Sequence, residues 1–123
     1  MFSLEREFRY WLYSEPTDMR KSFHTLSGLV RNRMGGNPRN GDVYIFMNKR
    51  RNRIKLLHYE TGGMVIYAKM LDRGTFGMPA PCSRDVVMSS IKWDDLLKMV
   101  EEIMADPDSR QTRLEGLKNL WKN

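Results

Sequence analysis

Five cationic side chains, Lys49, Arg50, Arg51, Arg53 and Lys55, fall within seven consecutive residues. Charges at that density repel one another and are best relieved by a polyanion, above all by a run of phosphates. Apolar, β-prone runs flank the cluster, Val43 to Met47 before it and Ile54 to Glu60 after it. The pattern predicts a β-hairpin whose tip reads Asn48-Lys49-Arg50-Arg51-Asn52-Arg53. A plainer reading is a solvated loop charged to block edge pairing. That accounts well for one or two charges and less well for five.

Other cations extend the patch. Between residues 20 and 60 there are ten Lys or Arg against two acids, Asp42 and Glu60. Residues 61–123 balance at nine against nine, and residues 1–19 carry two bases and four acids. The whole excess behind the net charge of +6 therefore sits in one third of the chain, a footprint expected of nucleic-acid binding. Arg20, Lys21, Arg31, Arg33 and Lys69 join the hairpin cations as candidate phosphate contacts. For Arg20 and Lys21, a solvated surface is the alternative. Tyr59 and Tyr67 are either base-stacking platforms beside Lys55 and Lys69 or packing residues. Phosphate contacts bring affinity and salt dependence, and nothing here names a base. A membrane-surface role fits less well, because the charges lie on a hairpin and not on a basic amphipathic helix.

Catalytic and metal signatures are weak. His24, His58 and Cys82 show no pair at metal-ligand spacing, and His58 reads as a core residue. There is no nucleophile elbow and no Gly-rich phosphate loop. Asp42, Glu60 and Lys69 allow a metal-dependent nuclease as a minor hypothesis. Their spacing matches no nuclease signature, and Asp42 reads as turn chemistry beside Gly41. No cofactor, metal or catalytic residue is expected, and a binding protein is preferred over an enzyme.

These side chains need elements to position them. Phe8 to Ser14 is aromatic and predicts a strand, broken at Glu15-Pro16-Thr17. A helix is expected from Thr17 or Asp18, with Asp18 as its cap. Met19, Phe23, Leu26 and Val30 would form its apolar stripe, and Gly35-Gly36-Asn37-Pro38 its end. After the hairpin, Thr61-Gly62-Gly63 turns into a strand from Met64 to Leu71. With Glu60 opposite Met64, Ile54 faces Met70, Leu56 faces Ala68 and His58 faces Ile66. That apolar face would receive the first helix. The other face would set Lys55 against Lys69, Leu57 against Tyr67 and Tyr59 against Val65, with Arg53 beside Leu71. Like charges directly opposite are unfavourable until an anion binds.

A loop follows with Pro79 and Pro81, then a strand within Asp85 to Ile91. Trp93, Leu96, Leu97, Val100 and Met104 predict a second helix, with Asp94 and Asp95 in its first turn. Asp106-Pro107 would start a third, with Leu114, Leu117 and Trp121 on one face. The expected fold is α+β: a mainly antiparallel sheet of four or five strands, the first helix on one face and the C-terminal helices alongside. Residues 1–105 form one domain and 106–123 a helical extension. A lone Cys82 fits a reducing cytoplasm. No apolar run reaches 18 residues, and Glu5 and Glu7 interrupt any export signal.

The order of several segments carries a family resemblance. Ser14-Glu15-Pro16-Thr17-Asp18-Met19-Arg20-Lys21-Ser22-Phe23 contains a P-x-D-M-R-K motif, and Gly28-Leu29-Val30 follows. Next come Gly41-Asp42-Val43-Tyr44-Ile45-Phe46, Asn48-Lys49-Arg50-Arg51, Ile54-Lys55-Leu56-Leu57, Gly74-Thr75-Phe76 and Pro79. Together they resemble the accessory protein, of the second-reading-frame type, of the insertion sequence 66 family of bacterial transposable elements. The match covers about residues 8–80 and, more loosely, the Trp93 to Val100 helix. The resemblance implies a bacterial protein that assists transposition beside a separate, larger transposase. It implies the transposase and a sister accessory protein as partners, with DNA close by, and assigns no molecular activity. A pure assembly adaptor, whose basic surface meets an acidic protein patch, is the second reading.

Overall fold

The computed structural model describes residues 4–77 and 86–101. Its elements run β1 (Tyr10–Tyr13), α1 (Phe23–Asn32), β2 (Val43–Met47), β3 (Arg53–Glu60), β4 (Gly63–Met70), β5 (Met88–Ile91) and α2 (Trp93–Glu101). The expectations for Met104, Cys82, Pro79, the third helix and the boundary at residue 105 lie outside the described residues.

The α+β class holds, but the sheet is mixed. Five strands lie in the order β4-β3-β2-β1-β5. β2–β3, β3–β4 and β1–β5 are antiparallel, while β1 and β2 run parallel. A parallel pair needs a long crossover, and residues 14–42, including α1, supply it. All five residues of β2 are buried. Its unbroken apolar sequence, Val-Tyr-Ile-Phe-Met, reflects a strand covered on both faces.

Two cores flank the sheet. On one face, Leu26, Val30 and Met34 pack on Tyr13, Tyr44, Phe46 and Leu57. On the other, Leu96 and Met99 of α2 join Leu4 and Phe76 over Tyr10, Leu12, Ile45, Ile54 and Leu56. The expected seat of the first helix is thus corrected. It covers the Leu57 side of the sheet, and α2 takes the Ile54–Leu56 side. His58 is buried as expected, 4.7 Å from the Phe8 ring centroid.

The helix start is also corrected. α1 begins at Phe23 after Ser22, whose N–H donates to Thr25 Oγ1 at 2.9 Å. Residues 16–21 instead form a strap along the sheet end. The Thr17 N–H donates to Met47 O at 2.8 Å. Asp18 Oδ1 accepts from the Arg20 N–H at 2.9 Å, closing a local turn that competes with helix. Met19 still packs with the α1 core, whereas Phe23 is 46% exposed. The helix ends as the glycines predict. Gly35 has φ +68°, and a Cβ on Gly36 would sit 2.7 Å from the Tyr44 hydroxyl.

The hairpin register differs by one residue from the expectation. The turn is the two residues Thr61-Gly62, with Gly62 at φ +90°, and Glu60 pairs with Gly63. Two-residue turns match strand twist when glycine supplies the positive φ. Every partner shifts accordingly: Lys55 faces Ala68, Ile54 faces Lys69 and Leu57 faces Ile66. A one-residue slip exchanges faces, so Lys55 and Lys69 are not opposed. Among the described residues, no helix is long and apolar enough to cross a membrane.

Candidate nucleic-acid interface

The basic tip is a four-residue connection with a polar clamp at its base. The Asn48 N–H donates to Arg53 O at 3.2 Å, extending the β2–β3 ladder by one pair. Asn48 Oδ1 accepts from the N–H groups of Asn52 and Arg53, both at 3.0 Å. Asn48 Nδ2 donates to Asn52 Oδ1 at 2.6 Å. Arg51 takes a left-handed conformation, φ 56°, which is uncommon for an L-residue with a side chain. The Phe76 N–H donates to Arg51 O at 2.7 Å, tying this residue to the buried Phe76. The Leu71 N–H donates to Asn52 O at 2.8 Å. The tip is thus braced by its own asparagines and by the segment after β4.

The strap of residues 16–21 lies beside this tip, and a groove of about 410 Å³ separates them. Asp18 and Arg20 line one side; Lys49, Arg50, Arg53 and Asn48 line the other. The P-x-D-M-R-K segment and the basic hairpin, thirty residues apart in sequence, therefore form a single concave surface. Arg20 is 91% exposed at its side chain and pairs with Asp18 at 2.6 Å. Hydrogen bonds from the Arg20 guanidinium, and then from its backbone N–H, hold the Asp18 carboxyl well below the usual carboxylate range. The same pair raises the Arg20 guanidinium. Four cations against one carboxylate leave the groove strongly positive, suited to a phosphodiester chain.

The remaining sequence candidates divide. Arg51 is exposed at the tip. Lys55 is half-buried, its Nζ donating to Lys21 O at 2.7 Å, so it anchors the strap. Lys69 lies on the α2 side, its Nζ donating to Val100 O at 3.1 Å, away from Lys55. Arg31 is exposed in the last turn of α1. Arg33 pairs with Glu15 at 3.0 Å. Tyr67 donates its hydroxyl to Glu60 Oε1 at 2.7 Å, and Arg39 lies 5.8 Å from the Tyr59 ring centroid. Both rings sit along the sheet and neither lines the groove.

The carboxylates of the nuclease hypothesis do not converge with Lys69. Asp42 and Glu60 stand at the sheet end opposite the tip, and Lys69 pairs near the tip with Ile54. Asp42 is buried and accepts from Arg9 Nε at 3.0 Å, Trp11 Nε1 at 3.0 Å and Asn40 Nδ2 at 3.2 Å. Among the described residues, no group of three or more His, Cys, Asp or Glu could hold a metal ion.

Sequence reasoning missed Asn48 and Asn52 as a clamp and Asp18 as a groove residue. The asparagines bracketing the cations, four positions apart, were the available signal.

Comparison with known proteins places this arrangement in a family. Two similar proteins come from Sinorhizobium fredii (strain NBRC 101917 / NGR234). One, described as uncharacterized protein y4jC, is 29% identical over 79 residues, covering 64% of this chain and 68% of the relative. The other, described as uncharacterized protein y4hO, is 28% identical over 94 residues, covering 69% of this chain and 82% of the relative. No solved structure matches the chain significantly. The family model described as IS66 Orf2 like protein matches residues 8–106, extending through α2. The chain thus belongs to the IS66 Orf2-like family, the accessory proteins of insertion sequence 66 elements.

Proposed function

We propose that this chain is a non-catalytic accessory protein that binds DNA phosphates in the groove between its strap and its hairpin tip. One observation carries the reading: Arg20 converges with Lys49, Arg50 and Arg53 on one concave surface braced by the Asn48 clamp. Family membership supplies the context, transposition. In this reading the protein works in the bacterial cytoplasm beside the transposase and the other accessory protein of the same element. Binding is led by backbone contacts, so it selects for the polyanion and not for a base sequence.

Fluorescence anisotropy of a labelled duplex, titrated between about 50 and 200 mM salt, tests this. Four phosphate contacts predict a log K against log salt slope of about −3 to −4. Replacing Arg50 and Arg53 by Ala should lower affinity at least tenfold and flatten the slope by about 2. Absence of binding at the lowest salt overturns DNA binding. If the same variants instead abolish copurification with the transposase, the adaptor reading takes its place. Metal-dependent cleavage of plasmid DNA by the purified protein would overturn the non-catalytic assignment.

A further inference from the structure

Two segments flank the basic tip, and they belong to opposite faces of the sheet. The strap of residues 16–21 lies on the α1 face, where Met19 joins the core of Leu26 and Leu57. The segment after β4 lies on the α2 face, where Phe76 and the half-buried Leu71 join the core of Ile54, Leu56 and Leu96. Backbone bonds tie both to the hairpin. The Thr17 N–H donates to Met47 O, the Leu71 N–H to Asn52 O and the Phe76 N–H to Arg51 O. The tip therefore stands between two fixed flanks.

The groove toward the strap takes Arg20, Lys49, Arg50 and Arg53. Two exposed cations near the tip lie outside it. Arg51 does not line that groove, and its carbonyl is held by the other flank. Arg73 lies within the other flank, exposed, in a bend where Gly74 takes φ +76°. Asp72 beside it is exposed too, so two cations stand here against one carboxylate. Among the described residues, neither Arg51 nor Arg73 enters an ion pair. The left-handed position of Arg51 would suit Gly or Asn at less cost, and such outliers point to use of the side chain.

Cations on both sides of a narrow tip match a ligand with two phosphate chains. A duplex presents two, on either rim of each groove. Its major groove is about 12 Å wide and admits a two-stranded β-ribbon. A single strand presents one chain and is gripped largely by aromatic stacking. No aromatic residue lines the strap groove, and its volume of about 410 Å³ suits a stretch of one backbone.

We infer that the tip enters the major groove of double-stranded DNA, one strand's phosphates seated in the strap groove and the other's against Arg51 and Arg73. The inference rests on the DNA-binding reading above and adds the substrate class, duplex over single strand. It also adds Arg73 to the interface.

Fluorescence anisotropy of a labelled duplex and of one of its strands, each titrated between about 50 and 200 mM salt, tests it. The four groove cations alone give a duplex slope of about −3 to −4, and two further contacts steepen it to about −5. The single strand should bind at least tenfold more weakly than the duplex, with a slope of about −3. Replacing Arg51 and Arg73 together by Gln should return the duplex slope to about −3 to −4 and leave single-strand affinity within about twofold of wild type. A wild-type duplex slope of only about −3 to −4, or a double variant that weakens both ligands alike, overturns the two-strand contact while the groove reading stands. Binding to neither ligand at the lowest salt overturns both. The wild-type slopes decide the matter even if the double variant fails to fold.

Discussion

Asn48 and Asn52 close the base of the cationic tip through a side-chain bond of 2.6 Å, while Asn48 Oδ1 caps the backbone N–H groups of Asn52 and Arg53. This contact closes a connection that carries three like charges, Lys49, Arg50 and Arg51, with Arg53 at the start of β3 beside them. Asn48→Ala removes no charge but leaves the half-buried Asn52 N–H and Asn52 side chain without their partner. Thermal denaturation should show a loss of about 1–3 kcal/mol. DNA affinity should fall severalfold at fixed salt, with the salt slope close to that of the wild type. An unchanged affinity would mean that charge alone, without tip geometry, accounts for binding.

Among the described residues, Asp18 is the one acid lining the groove, and its two-oxygen contact with Arg20 neutralises a cation that could meet phosphate. Asp18→Asn keeps an acceptor for the Arg20 N–H and removes the charge. The variant should bind duplex DNA more tightly, with the gain shrinking as salt rises, because both side chains are solvent-screened. Anisotropy titrations at two salt concentrations check this. Weaker binding would show that the Asp18–Arg20 pair, intact, is what presents the guanidinium to DNA.

The hairpin and its charge were legible because apolar, β-prone runs and a cationic cluster are local signals. The faces of the sheet were not, and the cause is specific. The sequence Thr61-Gly62-Gly63 allows either a two- or a three-residue turn, and that choice moves Lys55 from Lys69 to Ala68. The groove escaped for a different reason. Asp18 is a good helix cap by residue type, but Thr17 is drawn to Met47 O by a sheet contact. That tertiary bond holds the strap beside the tip and delays the helix to Phe23. Capping preference is worth about 1 kcal/mol, which a buried backbone bond with its surrounding packing offsets.

Asp42 serves the fold. Its carboxylate gathers the Arg9 guanidinium, the Trp11 indole and the Asn40 amide across β1 and β2. Asp42→Ala strips the acceptor from a part-buried indole N–H and should destabilise the protein by about 2–4 kcal/mol in urea unfolding. Because the groove lies at the other end of the sheet, Asp42→Asn, if folded, should retain wild-type DNA affinity. A folded Asp42→Asn protein that no longer binds DNA would place this carboxylate in the interface.

Alkaline pH should weaken the fold through buried phenols. Burial is the main cause that pushes the Tyr10 hydroxyl up to about 12, and the neutral phenol donates a hydrogen bond to Glu5 O at 2.7 Å. Burial raises Tyr13 and Tyr44 as well. In the unfolded chain these phenols titrate near 10.0. Above that pH the unfolded state has released protons that the folded state still holds, so stability falls as pH rises. The contribution is complete below about pH 10 and is lost as pH climbs toward about 12. Urea midpoints measured from pH 8 to 12 should therefore be level at first and then decline. Tyr10→Phe should start about 1 kcal/mol lower through the lost bond to Glu5. It should then decline less steeply, with Tyr13 and Tyr44 supplying the remaining slope. Parallel declines in the two proteins would show that the Tyr10 phenol does not set the alkaline limit.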